Sequence, residues 1–183
     1  MALDEVTERM RRIVAALTAG QVPYALVGGQ AVALWVATRE PAAVRTTKDV
    51  DLLLRRADLP RARAAALAAG MEYCEVLGVG MFLDRDCPHP KNAVHLVWAG
   101  ELVRPGQEYP APTVDERTTF PPGIEVVSLR GLVTMKLAAN RDQDRVHLRD
   151  MIDVGLVGRE LLDGLPPGPA AALLAQLLAE GGR

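Results

Sequence analysis

Tyr24-Ala25-Leu26-Val27-Gly28-Gly29-Gln30 and, after a loop, Arg45-Thr46-Thr47-Lys48-Asp49-Val50-Asp51-Leu52-Leu53-Leu54 decide how this chain is read. Tyr24 to Val27 is an apolar run long enough for a buried strand, and Gln30 to Ala37 is apolar and built of good helix formers. The two glycines therefore fall at a strand-to-helix turn. With no Cβ in the way, their N–H groups face outward at a helix N-terminus, a natural cradle for phosphate oxygens. An ordinary tight turn uses the same pair. Thr38 to Thr46 reads as loop. In a strand from Asp49 to Leu54, residues two apart share a face, so Asp49 and Asp51 project together while Val50 points to the core. Adjacent carboxylates repel unless a cation lies between them. A hard divalent cation, most simply Mg²⁺, satisfies that pair and leaves positions for triphosphate oxygens. A solvated acidic strand end is the other reading of such a triplet.

Upstream, Leu3, Val6, Met10, Ile13, Val14 and Leu17 recur at helical spacing over Met1 to Ala19, and Gly20 ends the helix. Downstream, Asp58 stands where it would cap an Ala-rich helix that ends at Gly70. Short strands are predicted at Met71–Val76, Gly80–Leu83 and Ala93–Trp98, with Asp84 to Lys91 a proline-bearing loop. Pro105 to Gly123, rich in Pro and Thr, reads as a long surface connection. Ile124–Val127 is a last strand. Ser128 then caps a helix from Leu129 to about Arg141, another runs to Val154, and the last spans Ala170 to Glu180. This order predicts an α/β (α+β) fold, a mixed sheet flanked by helices. Residues 1–127 form its core, and 128–183 a C-terminal helical segment packed on it.

A chain of 183 residues holds about one domain and needs no disulfides to stay folded. Lys and Arg number 21 against 23 Asp and Glu, a net charge of −2 that excludes a chain built mainly to coat nucleic acid. Hydrophobic residues at 49% and charged ones at 24% exclude disorder over the whole length. Asp4 and Glu5 stand where a secretory leader needs basic residues, and no stretch approaches a membrane span. Cys74 and Cys87 lack a paired spacing, and Cys87-Pro88-His89 falls short of a zinc site. A cytoplasmic protein with reduced thiols and no membrane partner is expected. No P-loop, H-E-x-x-H or G-x-S-x-G motif is present.

Strand, Gly-Gly, helix, loop and then Arg45-x-Thr47-x-Asp49-Val50-Asp51 on a strand together resemble the nucleotidyltransferase fold of the DNA polymerase β superfamily. Within it, the chain is similar to small bacterial enzymes grouped with AbiEii-type toxins. The run from Ser128 to Asp150, which carries Lys136, Arg141 and Asp144, resembles their closing helices, so the resemblance covers about Tyr24 to Val154. It implies a nucleotidyltransferase-like sheet in which Gly28, Gly29 and Thr47 hold the nucleotide and Asp49 and Asp51 ligate Mg²⁺ or Mn²⁺. Lys136 would meet the triphosphate of the NTP, a task suited to an ammonium on a flexible stem. Without the resemblance, Lys136 is a helix lysine whose stem covers apolar surface. Arg141, Asp144 and Asp150 read as pairs along the helix rather than as site residues.

That family normally supplies a third carboxylate on a later strand. Here His95, in Asn92-Ala93-Val94-His95-Leu96-Val97-Trp98, stands in its place. Imidazole nitrogen is a poor ligand for Mg²⁺ but a competent general base near neutral pH. Asp84 and Asp86, in the preceding loop, are alternative sources of the missing carboxylate. The resemblance implies a metal-dependent transfer of a nucleoside monophosphate from an NTP to an acceptor hydroxyl. RNA such as a tRNA end, a protein or a small molecule would be the acceptor, and a toxin–antitoxin pair with an antitoxin partner the setting. A non-catalytic module that binds nucleotide or a partner is the alternative, supported by His95. Arginines 9, 11 and 12, 55 and 56, and 61 and 63 form either an RNA-facing surface or solvated faces. The apolar last helix is a candidate oligomer or partner surface.

Overall fold

A computed structural model describes residues 2–89 and 92–181. Pro90 and Lys91, in the expected proline loop, lie outside the described residues. The strands are β1 (Ala25–Val27), β2 (Val50–Leu54), β3 (Met71–Val76), β4 (Val79–Asp84), β5 (Val94–Trp98), β6 (Arg117–Phe120) and β7 (Ile124–Val127). They form one mixed sheet in the order β3-β4-β5-β2-β1-β7-β6. β1 runs antiparallel to β2 and parallel to β7, while β2 and β5 are parallel neighbours. The central strands are continuous apolar runs because both of their faces are covered. Ala25, Leu26 and Val27, and then Val50, Leu52, Leu53 and Leu54, are all fully enclosed.

Helices α1 (Ala2–Ala19) and α3 (Leu59–Ala68) pack on each other, and α3 also packs on β3. The expected stripe of α1, from Val6 through Leu17, is buried, and Ala62 and Ala66 of α3 allow close approach. α2 (Gly28–Ala37), α4 (Leu129–Ala139), α5 (Asp142–Asp153) and α7 (Pro169–Gly181) contact one another as a second group, with the one-turn α6 (Arg159–Asp163) against α7. α4 starts as expected: the Gly131 N–H donates to Ser128 Oγ at 3.1 Å. Ser128→Ala is expected to lower unfolding free energy by about 1 kcal/mol in urea titrations without changing the site.

Several boundaries differ from expectation for local reasons. The glycine pair is not a turn before α2 but its first two residues. α4 ends at Ala139, because Asn140 adopts the left-handed conformation with φ 47° and breaks it. Arg141 then caps α5 in a reciprocal arrangement with Asp144, so α5 folds back along α4. Asp84 is the last residue of β4 rather than a loop residue. β6 was expected to be loop, since Arg117, Thr118 and Thr119 are exposed on an edge strand and carry no apolar alternation. Its single buried residue, Phe120, meets the Trp35 ring edge-on at 4.9 Å. No helix among the described residues is long and apolar enough to cross a membrane.

Candidate active site

β1 delivers Gly28 and Gly29 to the start of α2, and the β1–β2 register pairs Val27 with Asp51. The glycines thus sit against the acidic segment for a steric reason as well as a conformational one. Gly28 has φ 68°, and a Cβ there would lie 2.0 Å from Asp51 Oδ2. A Cβ on Gly29 would lie 2.8 Å from Thr47 Oγ1. First-turn N–H groups have no partner inside a helix and carry its positive dipole end, so this corner favours an anion. Gly28→Ala is expected to destabilise the fold by about 1–2 kcal/mol from the left-handed backbone alone. Displacement of Asp51 adds to that, and thermal melts and assays of the same variant report both effects.

The β2–β5 register sets His95 beside Asp51, with His95 Nδ1 3.8 Å from Asp51 Oδ1. Asp49 lies just before β2 and is exposed. Burial pushes the Asp51 carboxyl above its ordinary range. His95, Lys136 and Arg141 act against that push, and the like charge of Asp49 adds to it. A half-buried carboxylate made costly to ionise, with a second carboxylate close by, is relieved by a hard cation. Among the described residues no three His, Cys, Asp or Glu side chains gather into a ready metal cage. Two carboxylates at an anion-favouring corner nevertheless suit Mg²⁺, which keeps waters and takes substrate phosphates for its other positions.

Lys136 of α4 forms the facing wall and is only 5% exposed, so its ammonium is buried along with the stem that was expected to cover apolar surface. Its Nζ lies 2.9 Å from Asp144 Oδ1, and Arg141 Nε lies 2.7 Å from Asp144 Oδ2. Burial works to raise the Asp144 carboxyl, but the Arg141 hydrogen bonds and the Lys136 charge outweigh it and hold the group below its ordinary range. Arg141 and Asp144 do pair along α5 as expected, but Asp144 also holds the buried lysine. Asp150 pairs outside its helix, with Arg45. His147, next along α5, is buried with Nδ1 unpartnered, and burial, then the Lys136 charge, lowers it to about 4. An imidazole kept neutral in the fold contributes stability that is full above its unfolded value near 6.5 and is lost as pH falls toward 4. Across that window His147→Leu is expected to lose less stability than the wild type in urea titrations.

Asp84 does not reach the site. Strand alternation turns Met81, the register partner of His95, toward one face and Asp84 toward the other, where Arg9 and Arg12 of α1 hold it. Most of the clustered arginines are likewise engaged within the chain. Arg55 pairs with Asp115, Arg56 with Glu101, and Arg61 with Asp58, while Arg63 lies over the Tyr73 ring. A cavity of about 410 Å³ joins the parts of the site. It begins at Gly28, Asp51 and His95, passes Lys136 and Arg141, and extends along β5 to Trp98 and Tyr109. Arg141 and Asp144 line the cavity although their spacing reads as pairing along a helix. The Arg-x-x-Asp spacing behind a helix break was the signal for both.

A family model described as nucleotidyl transferase AbiEii toxin, type IV TA system, matches residues 10–183. Curated proteins yield no match. Among solved structures, the solution structure of the antibiotic-resistance factor ANT(2″)-Ia is similar over 98% of this chain and 94% of that one. The TM-score is 0.55 at 14% sequence identity. The crystal structure of ANT(2″)-Ia in complex with adenylyl-2″-tobramycin is similar over 97% of this chain and 98% of that one, with TM-score 0.54 and 14% identity. At such identity the likeness carries the fold alone.

Proposed function

Since the chain belongs to the AbiEii family of nucleotidyltransferases, we propose that it moves a nucleoside monophosphate from an NTP to an acceptor hydroxyl with Mg²⁺ or Mn²⁺ held by Asp49 and Asp51. The observation that carries this reading is the contact of Asp51 with Gly28, where a metal-type carboxylate and a phosphate cradle occupy one corner. Gly28 and Gly29 offer backbone N–H groups to the phosphates, with Thr47 packed beside them. Lys136, oriented by Asp144, and Arg141 balance charge on the departing pyrophosphate. His95, beside Asp51, takes the proton of the acceptor hydroxyl as its oxygen bonds to the α-phosphorus and the bond to pyrophosphate breaks. The cation, when bound, neutralises charge on the reacting phosphoryl group. The acceptor is an RNA end, a protein or a small molecule, and the biological setting a toxin–antitoxin pair.

A second reading, a nucleotide- or partner-binding module without transfer, is favoured by His95 in the place of a carboxylate and by the lack of a three-ligand cluster among the described residues. Incubation with each α-³²P-labelled NTP, Mg²⁺ or Mn²⁺, and total cellular RNA and protein separates the two. Label in RNA or protein supports transfer and names base and acceptor class. No label, together with metal-dependent nucleotide binding, supports the second reading.

A further inference from the structure

We propose that Arg45 is a positioning residue for Asp49, and that its ion pair with Asp150 sets the affinity of the site for its divalent cation. The inference rests on the reading of Asp49 and Asp51 as metal ligands. Residues 44–49 run without regular structure from a 3₁₀ turn at Pro41–Ala43 to the start of β2, and they carry both Thr47 and Asp49. Packing holds only Thr47 of this segment, against Gly29, while Asp49 and its neighbour Lys48 are exposed. The hydrogen bonds near Asp49 are long. Its N–H reaches Thr47 Oγ1 at 3.4 Å, and Gln30 Nε2 reaches the Thr47 carbonyl at 3.5 Å. Both stand at the weak end of the range.

Arg45 makes the short contact. Its Nε lies 2.7 Å from Asp150 Oδ2, in the range of a charge-assisted hydrogen bond. The two ends differ in exposure. The Asp150 side chain is 12% exposed and rooted in α5, whereas Arg45 is 65% exposed on the loop. An exposed pair of this kind adds little to stability. What it does is fix a loop to a helix. α5 also carries Asp144, which orients Lys136 and Arg141. One helix thereby registers the loop that bears a metal carboxylate and the wall that bears the cationic side chains. Groups that orient a metal ligand from behind typically change metal affinity by about 10–100-fold when removed.

The test titrates Mn²⁺ alone into the full chain and follows free Mn²⁺ by electron paramagnetic resonance, beside thermal melts. Arg45→Ala and Asp150→Asn are each expected to weaken Mn²⁺ binding about tenfold with an unchanged thermal midpoint. The double variant should be no weaker than either single one, and Arg45→Lys should recover part of the loss. Asp51→Asn serves as the control for the underlying reading. Loss of binding in Asp51→Asn but wild-type affinity in Arg45→Ala, or additive losses in the double variant, overturns the positioning role. Wild-type affinity in Asp51→Asn overturns the metal reading itself, and the proposal with it.

Discussion

Asp51→Asn is expected to reduce nucleotidyl transfer by about a thousandfold or more while raising the thermal midpoint of the metal-free protein. The loss follows from removing one of the two proposed charged ligands, because metal stabilisation of phosphoryl charge supplies several kcal/mol and each factor of ten corresponds to about 1.4 kcal/mol. The gain follows from linkage. Burial, countered in part by His95 and aggravated by Asp49, raises the Asp51 carboxyl above its unfolded value. Such a group contributes stability that is full below the unfolded carboxylate range and is lost as pH rises through the folded value. Above the unfolded carboxylate range Asp51 therefore opposes folding, and a neutral amide of the same shape removes that opposition. The midpoint difference should shrink as pH is lowered into the ordinary carboxylate range, below which the folded and unfolded wild type are both protonated. Mg²⁺ should raise the wild-type midpoint and leave that of the variant in place. A residue that weakens the apo fold and strengthens the loaded one belongs to function rather than to packing.

Asp144→Ala carries the largest expected effect on stability, about 3–5 kcal/mol, because it strands a buried ammonium. Asp144 is 1% exposed and accepts from both Lys136 and Arg141. Arg141 is half-exposed and turns to water when its partner goes, but Lys136 has no such route. Replacing both members of the buried pair, as in Lys136→Met with Asp144→Leu, should recover most of the lost stability, since no charge is then left unpaired. Nucleotide affinity should not return with it. Urea titrations of the single and double variants measure the first effect, and calorimetric titration with an NTP in Mg²⁺ measures the second. In the wild type, the stability that Asp144 contributes is full above the ordinary carboxylate range. It is lost as pH falls through the depressed folded value. That acid step lies below the window in which His147 acts, so the two are separable in one pH series.

Gly28 and Asp51 are local features of the sequence, whereas His95 stood out only through the family resemblance. Gly28 follows an apolar strand and takes a left-handed backbone, and only glycine tolerates the approach of Asp51 there, whereas Asp49 falls just before β2 and not within it. The register that brings His95 beside Asp51 follows from β2 and β5 being adjacent and parallel. The opposite wall was harder to read. Whether Asp144 pairs along its helix or reaches Lys136 depends on Asn140, whose left-handed backbone folds α5 back along α4, and asparagine at a helix end does not announce such a reversal. β6 was missed because an edge strand of Arg and Thr is held by its partner β7 rather than by buried side chains. The arginine clusters met carboxylates from distant segments: Asp84 on β4, and Glu101 and Asp115 between β5 and β6. Sequence spacing carries no record of those pairings.

Parallel incubation with α-³²P- and γ-³²P-labelled NTP is the most direct measurement. Purified protein, Mg²⁺ and cellular RNA and protein should yield macromolecule-bound label from the α position, labelled pyrophosphate from the γ position, and neither product with Asp51→Asn. Label transferred from the γ position, or α-label transfer that persists in Asp51→Asn, would contradict a nucleotidyl transfer centred on Asp51 and the Gly28–Gly29 start of α2.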